Sequence, residues 1–153
     1  QKVIAFAAQH TLENILCLPY QPLAELSGLL AAADLHVIVM GDQFVGIVHP
    51  CKVYNILAVG RPFLYIGPGE SHITDIAQGY EDGAPIYAAR HGDVESATNH
   101  ILAAAALAAG GAPARQASLA EKFSRGVLLP GMIEVIEAAT IKPSVYASAV
   151  SLV

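Results

Sequence analysis

Gly46, Ile47, Val48 and His49 stand directly ahead of Pro50 in a stretch, 44–67, that reads FVGIVHPCKVYNILAVGRPFLYIG. The first N–H groups of a helix have no intrahelical partner and the helix start is positive, so a loop entering a helix can receive a phosphate. Gly46 lets the backbone come close to an anion, His49 can donate from its ring, and Lys52 adds a point charge. The chemistry on offer is binding of a phosphate or diphosphate. Read without its surroundings, the same stretch is a surface loop with a solvated Lys52 and a polar His49 at the helix start. For the loop alone that plainer reading is favoured.

Other reactive types are scattered. His10, His36, His72, His91 and His100 show neither HxxxH nor HExxH spacing, so no zinc site is expected. Glu70-Ser71-His72 lacks the GxSxG elbow of a nucleophile, and Ser71 is better explained as the N-cap of a helix with Asp75 in its first turn. No residue is assigned a catalytic role. The Gly67-Pro68-Gly69 loop follows a strand, on the side where open α/β sheets bind ligands, and is expected to border the same cleft as Gly46.

These residues need a scaffold, and the periodicities supply one. Residues 1–9 have helical composition, and 15–18 is a short apolar run closed by Pro19, which suits a buried parallel strand. Leu23, Leu26, Leu29 and Leu30 give 22–33 a helical spacing, and 35–40 reads as the next strand. Pro50 opens a helix over 50–59, because proline at a first helical position costs no hydrogen bond, and Gly60 ends it. A strand over 62–66, a helix over 71–78, a strand over 85–89 and an Ala-rich helix over 94–109 follow. Gly110-Gly111 ends that helix, and two more are predicted over 114–124 and 129–138. The tail has no amphipathic period. Alternating strands and helices predict an α/β, Rossmann-like three-layer domain with a parallel sheet.

Composition narrows the classes further. At 153 residues the chain makes one domain, and a net charge of −5 with only eight Lys and Arg argues against a nucleic-acid surface. Its longest apolar run, 101–109, is well short of the ~20 residues that cross a bilayer, so a soluble chain is expected. The sequence opens at Gln1 with no initiator Met and no signal-peptide pattern, which reads as a fragment. Cys17, on a predicted buried strand, and Cys51, on a predicted helix, read as free thiols of a reducing compartment.

Pro50-x-Lys52-x-Tyr54-Asn55-x-Leu57-Ala58-x-Gly60-x-Pro62 resembles the PSKLYEYLAAGKPV signature in the C-terminal, donor-binding half of GT-B glycosyltransferases of family 4, in particular bacterial enzymes of exopolysaccharide and capsule assembly. Upstream, residues 14–22, NILCLPYQP, resemble the family's NVRFLPxQP, and 32–37, AADLHV, its AADVHLV. Gly92-Asp93 and Phe123-Ser124 fall where such proteins have GD and FS. The resemblance covers residues 1–138, with 139–153 as a tail or crossover segment, and it reverses the preference for a plain loop at Gly46.

The resemblance implies a nucleotide-diphosphate sugar as donor substrate, with no metal and no other cofactor. It places the diphosphate at Gly46, Ile47, Val48, His49 and Lys52, and the nucleobase at the turn holding Tyr20, Gln21 and Leu23, although an ordinary strand-to-helix turn explains those three equally well. Asn55 stands where the family has the second Glu of its ExxxxxxxE pair on the ribose. An amide accepts such a bond without charge, so this contact should be weaker. The first Glu has no equivalent, since Asp42 and Gln43 lie too far ahead of Asn55.

By the same resemblance the sheet order would be 3-2-1-4-5-6 with the strands here as the third to sixth, so the two central strands are absent. An open apolar edge invites association, and an oligomer, a swapped arrangement or a loosely attached first strand is expected. The family's cationic glycine-lysine loop and its acceptor domain are also outside the sequence, so the fragment is expected to be inactive alone. The implied partners are the nucleotide sugar, the N-terminal domain of a parent chain and a membrane-associated acceptor, in the cytoplasm at the inner face of a membrane. Two alternatives stand beside transfer: a non-catalytic nucleotide-sugar-binding or interaction module, and a GT-B-fold nucleotide-sugar epimerase, which would need carboxylates in the cleft.

Overall fold

Three parallel strands carry the fold in the computed structural model, which describes residues 2–80, 82–111 and 118–141. Strands β1 (His36–Val39), β2 (Phe63–Ile66) and β3 (Ile86–Ala89) lie in the order β1-β2-β3, with His36 opposite Phe63 and Phe63 opposite Ile86. Side chains alternate across a strand, so this register puts Ile38, Met40, Phe63 and Tyr65 on one face. Helix α3 (Lys52–Val59) meets that face with Val53, Ile56 and Leu57, and α4 (His72–Gln78) with Ile73 and Ile76. These apolar positions recur at three- and four-residue spacing, which is why two short helices can close one core.

The opposite face is covered by α5 (Val94–Ala109), which packs on β2 and β3 and buries Ala104. The ring of His100, on α5, donates to Ala88 O at 3.2 Å. The domain is therefore α/β with helices on both sides of a parallel sheet, a Rossmann-like three-layer arrangement, as the alternating pattern predicts. Helix α2 (Leu26–Ala32) packs on α3, and His36 Nε2 donates to Leu30 O at 3.0 Å.

The predicted strand at 15–18 does not form. Residues 11–20 are exposed and outside the sheet, with Leu16 at 81% exposure, because a strand exists only when laddered to a neighbour and β1 pairs on one side only. Cys17 is accordingly exposed rather than buried, and Cys51 stands at the residue before α3 without a side-chain capping bond, not within the helix; both are free thiols. Helix α1 (Lys2–Gln9) forms as predicted and buries no residue. The helix predicted over 22–33 begins as a 3-10 turn, Leu23–Glu25.

The helix predicted from Pro50 begins at Lys52, with the Pro50 carbonyl accepting from Val53 N at 3.1 Å. Gly60, at φ +65°, ends it by donating to Ile56 O at 3.0 Å. Of the two helices predicted late in the chain, α6 spans Ser118–Lys122 and α7 spans Arg125–Ile141 with Pro130 inside it. The boundary at 138 thus falls within a helix, and residues 142–153 of the tail lie outside the described residues, as do 112–117 of the predicted 114–124 helix. Among the described residues no helix is long and apolar enough to cross a membrane.

Candidate functional site

The loop that leaves β1 is built on a 3-10 turn, Asp42–Phe44, and folds back on itself. Phe44 O accepts from Ile47 N at 3.0 Å and from Val48 N at 2.9 Å. Two of the N–H groups assigned to a diphosphate are thus already engaged, while Gly46 N–H has no acceptor among the described residues. Gly46 takes φ +74°, and a methyl built there would meet nothing within 4 Å. Glycine is needed at this point for the left-handed turn and not for space.

The loop leaving β2 faces it. Ser71 caps α4 through a reciprocal pair, Ser71 N donating to Thr74 Oγ1 at 2.9 Å and Thr74 N to Ser71 Oγ at 3.4 Å. This capping box fixes His72 as the first residue of α4. Between the two loops, at the carboxyl edge of the sheet, opens a cleft of about 590 Å³ lined by residues 45–49 and 69–72 with Thr74, Asp75 and Gln78. Gly69 borders it together with Gly46, as the strand-end position of the Gly67-Pro68-Gly69 loop predicts.

Within the cleft His49 stacks on His72, ring centroids 3.4 Å apart. His49 Nε2 also hydrogen-bonds the Tyr54 hydroxyl, and the Tyr54 ring lies 4.8 Å from that of Phe123. Four rings from the β1 loop, α3, α4 and the turn after α6 therefore run in one column. Burial, and after it the neighbouring His49, hold His72 below its ordinary pKa, with Asp75 pulling the other way. Burial pushes the Tyr54 phenol up, helped by Cys51.

The charges on the wall are Glu70 and Asp75; among the described residues neither Lys nor Arg lines this cleft. Lys52 sits exposed on the first turn of α3, off the lining. Asn55 is exposed too, and borders a second cleft of about 640 Å³ between α3 and residues 118–124, which Phe123 and Ser124 also line. Tyr54 connects the two, lining the second cleft while bonding to His49 in the first.

Of the predicted site residues the fold brings Gly46, Ile47, Val48 and His49 together, and it separates Asn55 from them. Tyr20 and Leu23 are exposed in the N-terminal segment, Gln21 Nε2 donates to Pro19 O at 2.9 Å, and none of the three lines either cleft. Sequence reasoning missed His72 and Tyr54 as cleft residues. The one available signal was that His72 follows the N-cap Ser71 at a strand's carboxyl end. Among the described residues no group of three or more His, Cys, Asp or Glu is placed to hold a metal ion.

Compared with family models, with curated proteins and with solved structures, the chain finds no match in any of the three. The fold and site together define a Rossmann-like α/β protein with a cleft on the carboxyl edge of its sheet.

Proposed function

We propose that the cleft is the diphosphate-receiving part of the donor site of a glycosyltransferase, which moves a sugar from a nucleotide-diphosphate sugar to a glycan or lipid-linked acceptor. One observation carries the reading: the Gly46–His49 loop and the Gly69–His72 loop face each other across a cleft at the carboxyl edge of a parallel sheet, where open α/β folds bind nucleotides. The signature-like run from Pro50 to Pro62 supports it. In this reading Gly46 N–H and the His49 and His72 rings are the donors to the diphosphate, and Tyr54 stands between them and Asn55, the ribose contact. The cations that would neutralise a leaving diphosphate are supplied by another part of a parent chain, and the activity belongs to that whole, at the inner face of a membrane in the cytoplasm.

A non-catalytic nucleotide-sugar-binding or interaction module is the second reading, favoured by the lack of Lys or Arg among the described residues of the cleft wall. Glu70 and Asp75 on the same wall are the carboxylates that a nucleotide-sugar epimerase would require. Calorimetry with UDP- and GDP-sugars tests the proposal. Binding weakened about tenfold in His49→Ala, equivalent to about 1.4 kcal/mol, is the expected result. No heat with any nucleotide sugar, for this chain and for a longer parent, sinks it; binding without sugar transfer leaves the module, and interconversion of the sugar leaves the epimerase.

A further inference from the structure

Among the described residues no strand pairs with the outer edge of β1. His36 N and Met40 N donate towards β2, to Pro62 O at 3.0 Å and Ile66 O at 3.1 Å. In a parallel ladder alternate residues bond to opposite sides, so the N–H and C=O groups of Val37 and Val39 point to the free edge. Their side chains are 42% and 60% exposed, whereas Leu64, on the neighbouring strand, is 1% exposed. A short distance upstream runs Ile15-Leu16-Cys17-Leu18, apolar at every position, as strands covered on both faces are. It lies outside the sheet with Leu16 and Leu18 at 81% and 58% exposure.

Chain direction decides where such a strand can add. The crossover from β1 to β2 places α3 on the core face, and right-handed crossovers are nearly universal. A strand entering β1 from its open side moves in the same direction across the sheet, so its crossover helix must lie on the α3 face too. Helix α2 does: it packs on α3, and its Leu30 carbonyl accepts from His36, whose side chain shares the face of Ile38 and Met40. Entry from beyond β3 would need α2 on the α5 face. Lengths agree as well, since a 3-10 turn of three residues and a helix of seven span about 16 Å, and a four-residue strand about 13 Å.

We propose that residues 15–18 close onto the free edge of β1 as a fourth parallel strand of the same molecule, with α2 as its right-handed crossover. Closure satisfies the edge groups of Val37 and Val39 and covers Leu16 and Leu18. A parallel strand there ends at the carboxyl edge of the sheet, so it carries Pro19, Tyr20 and Gln21 to the edge where the 590 Å³ cleft opens. The inference concerns the sheet and is independent of what the cleft binds.

Hydrogen exchange read by mass spectrometry on the whole chain tests it. Peptides covering 14–20 and 36–40 should exchange at least about tenfold more slowly than unstructured peptide, at a rate independent of protein concentration. Cys17→Pro, which interrupts the run at its centre, should release 14–20 and the Val37 and Val39 amides of 36–40, and leave 63–66 and the β1 amides that bond to β2 protected. Exchange of 14–20 at the unstructured rate overturns the proposal, and so does protection that appears only as concentration rises, which would assign the edge to a second copy. Should Cys17→Pro fail to fold, alkylation of Leu16→Cys in a Cys17→Ser, Cys51→Ser background decides, because Leu16 lies on the face that closure covers. A rate at least about tenfold below that in urea supports closure, and equal rates overturn it.

Discussion

His49 lies face to face with His72, ring centroids 3.4 Å apart and planes 18° from parallel, so the loop after β1 and the first residue of α4 meet through two imidazoles. Two rings in this contact cannot both be protonated without repulsion, and His72 is partly sequestered from water besides. The pair joins the two loops across the cleft that lies between them. A change of charge here therefore acts on folding and on the shape of the cleft at once.

Stability should fall below pH 6.5. Burial first, then His49, hold His72 below its ordinary 6.5 against the pull of Asp75. His36 is lowered as well, by burial and by Lys52 and Arg61, against its hydrogen bond to Leu30. A histidine whose folded pKa is lowered binds fewer protons folded than unfolded, so its contribution is full above 6.5 and is lost as pH falls through the lowered value. Urea midpoints should drop from neutral pH to about pH 5, and less steeply in His72→Gln. A midpoint that rises on acidification contradicts this.

Ser71→Ala should cost about 1 kcal/mol, within the 0.5–2 kcal/mol usual for a lost N-cap. The hydroxyl accepts from Thr74 N and the backbone N–H of Ser71 donates to Thr74 Oγ1, so the substitution breaks one bond of the box and leaves the other. Since the cap fixes His72 against His49, the variant should also shift the His72 imidazole resonances in NMR spectra. An unchanged urea midpoint would mean that α4 is held by Ile73 and Ile76 alone.

Gly67→Ala should cost about 1–3 kcal/mol by overpacking. A methyl at Gly67 would sit 2.5 Å from Tyr65 Oη and 2.9 Å from Met40 O, and the tyrosine, 1% exposed, has nowhere to turn. Its hydroxyl is buried without a hydrogen-bond partner among the described residues, so Tyr65→Phe should be neutral or slightly stabilising. The double variant should then lose less than Gly67→Ala alone. The relief should be partial, since Tyr65 Cζ at 2.6 Å and Met40 O stay beside the methyl, and additive costs in urea melts would show that those two carry the clash.

Much of this arrangement was legible in the sequence, and the failures have a common cause. The runs 36–39, 63–66 and 86–89 are short and apolar and pair as read, while Ser71 and Gly60 mark helix ends by side-chain and backbone chemistry that is local. Ile15 to Leu18 has the same local character but depends on an edge that nothing local specifies. The loop at Gly46 was legible as a tight turn ahead of a helix. That Phe44 O consumes the Ile47 and Val48 N–H groups follows from the 3-10 turn before it, which leaves no pattern in residue types. The column of His72, His49, Tyr54 and Phe123 joins four segments and could be found only once the sheet had brought them together.

Strand register gives the last prediction. Ile38 points into the core at 3% exposure and its neighbour Val39 away from it at 60%. Ile38→Ala should therefore cost about 2–5 kcal/mol, the transfer of the lost carbons plus the cavity left among Val53, Ile56 and Tyr65. Val39→Thr keeps the β-branched shape and should stay within about 0.5 kcal/mol. Paired urea melts check both, and the difference between them is the informative quantity, because a slip of one residue in β1 exchanges the two faces. Equal costs would show that the outer face of β1 is covered in solution, and a larger cost at Val39 would show the register to be shifted.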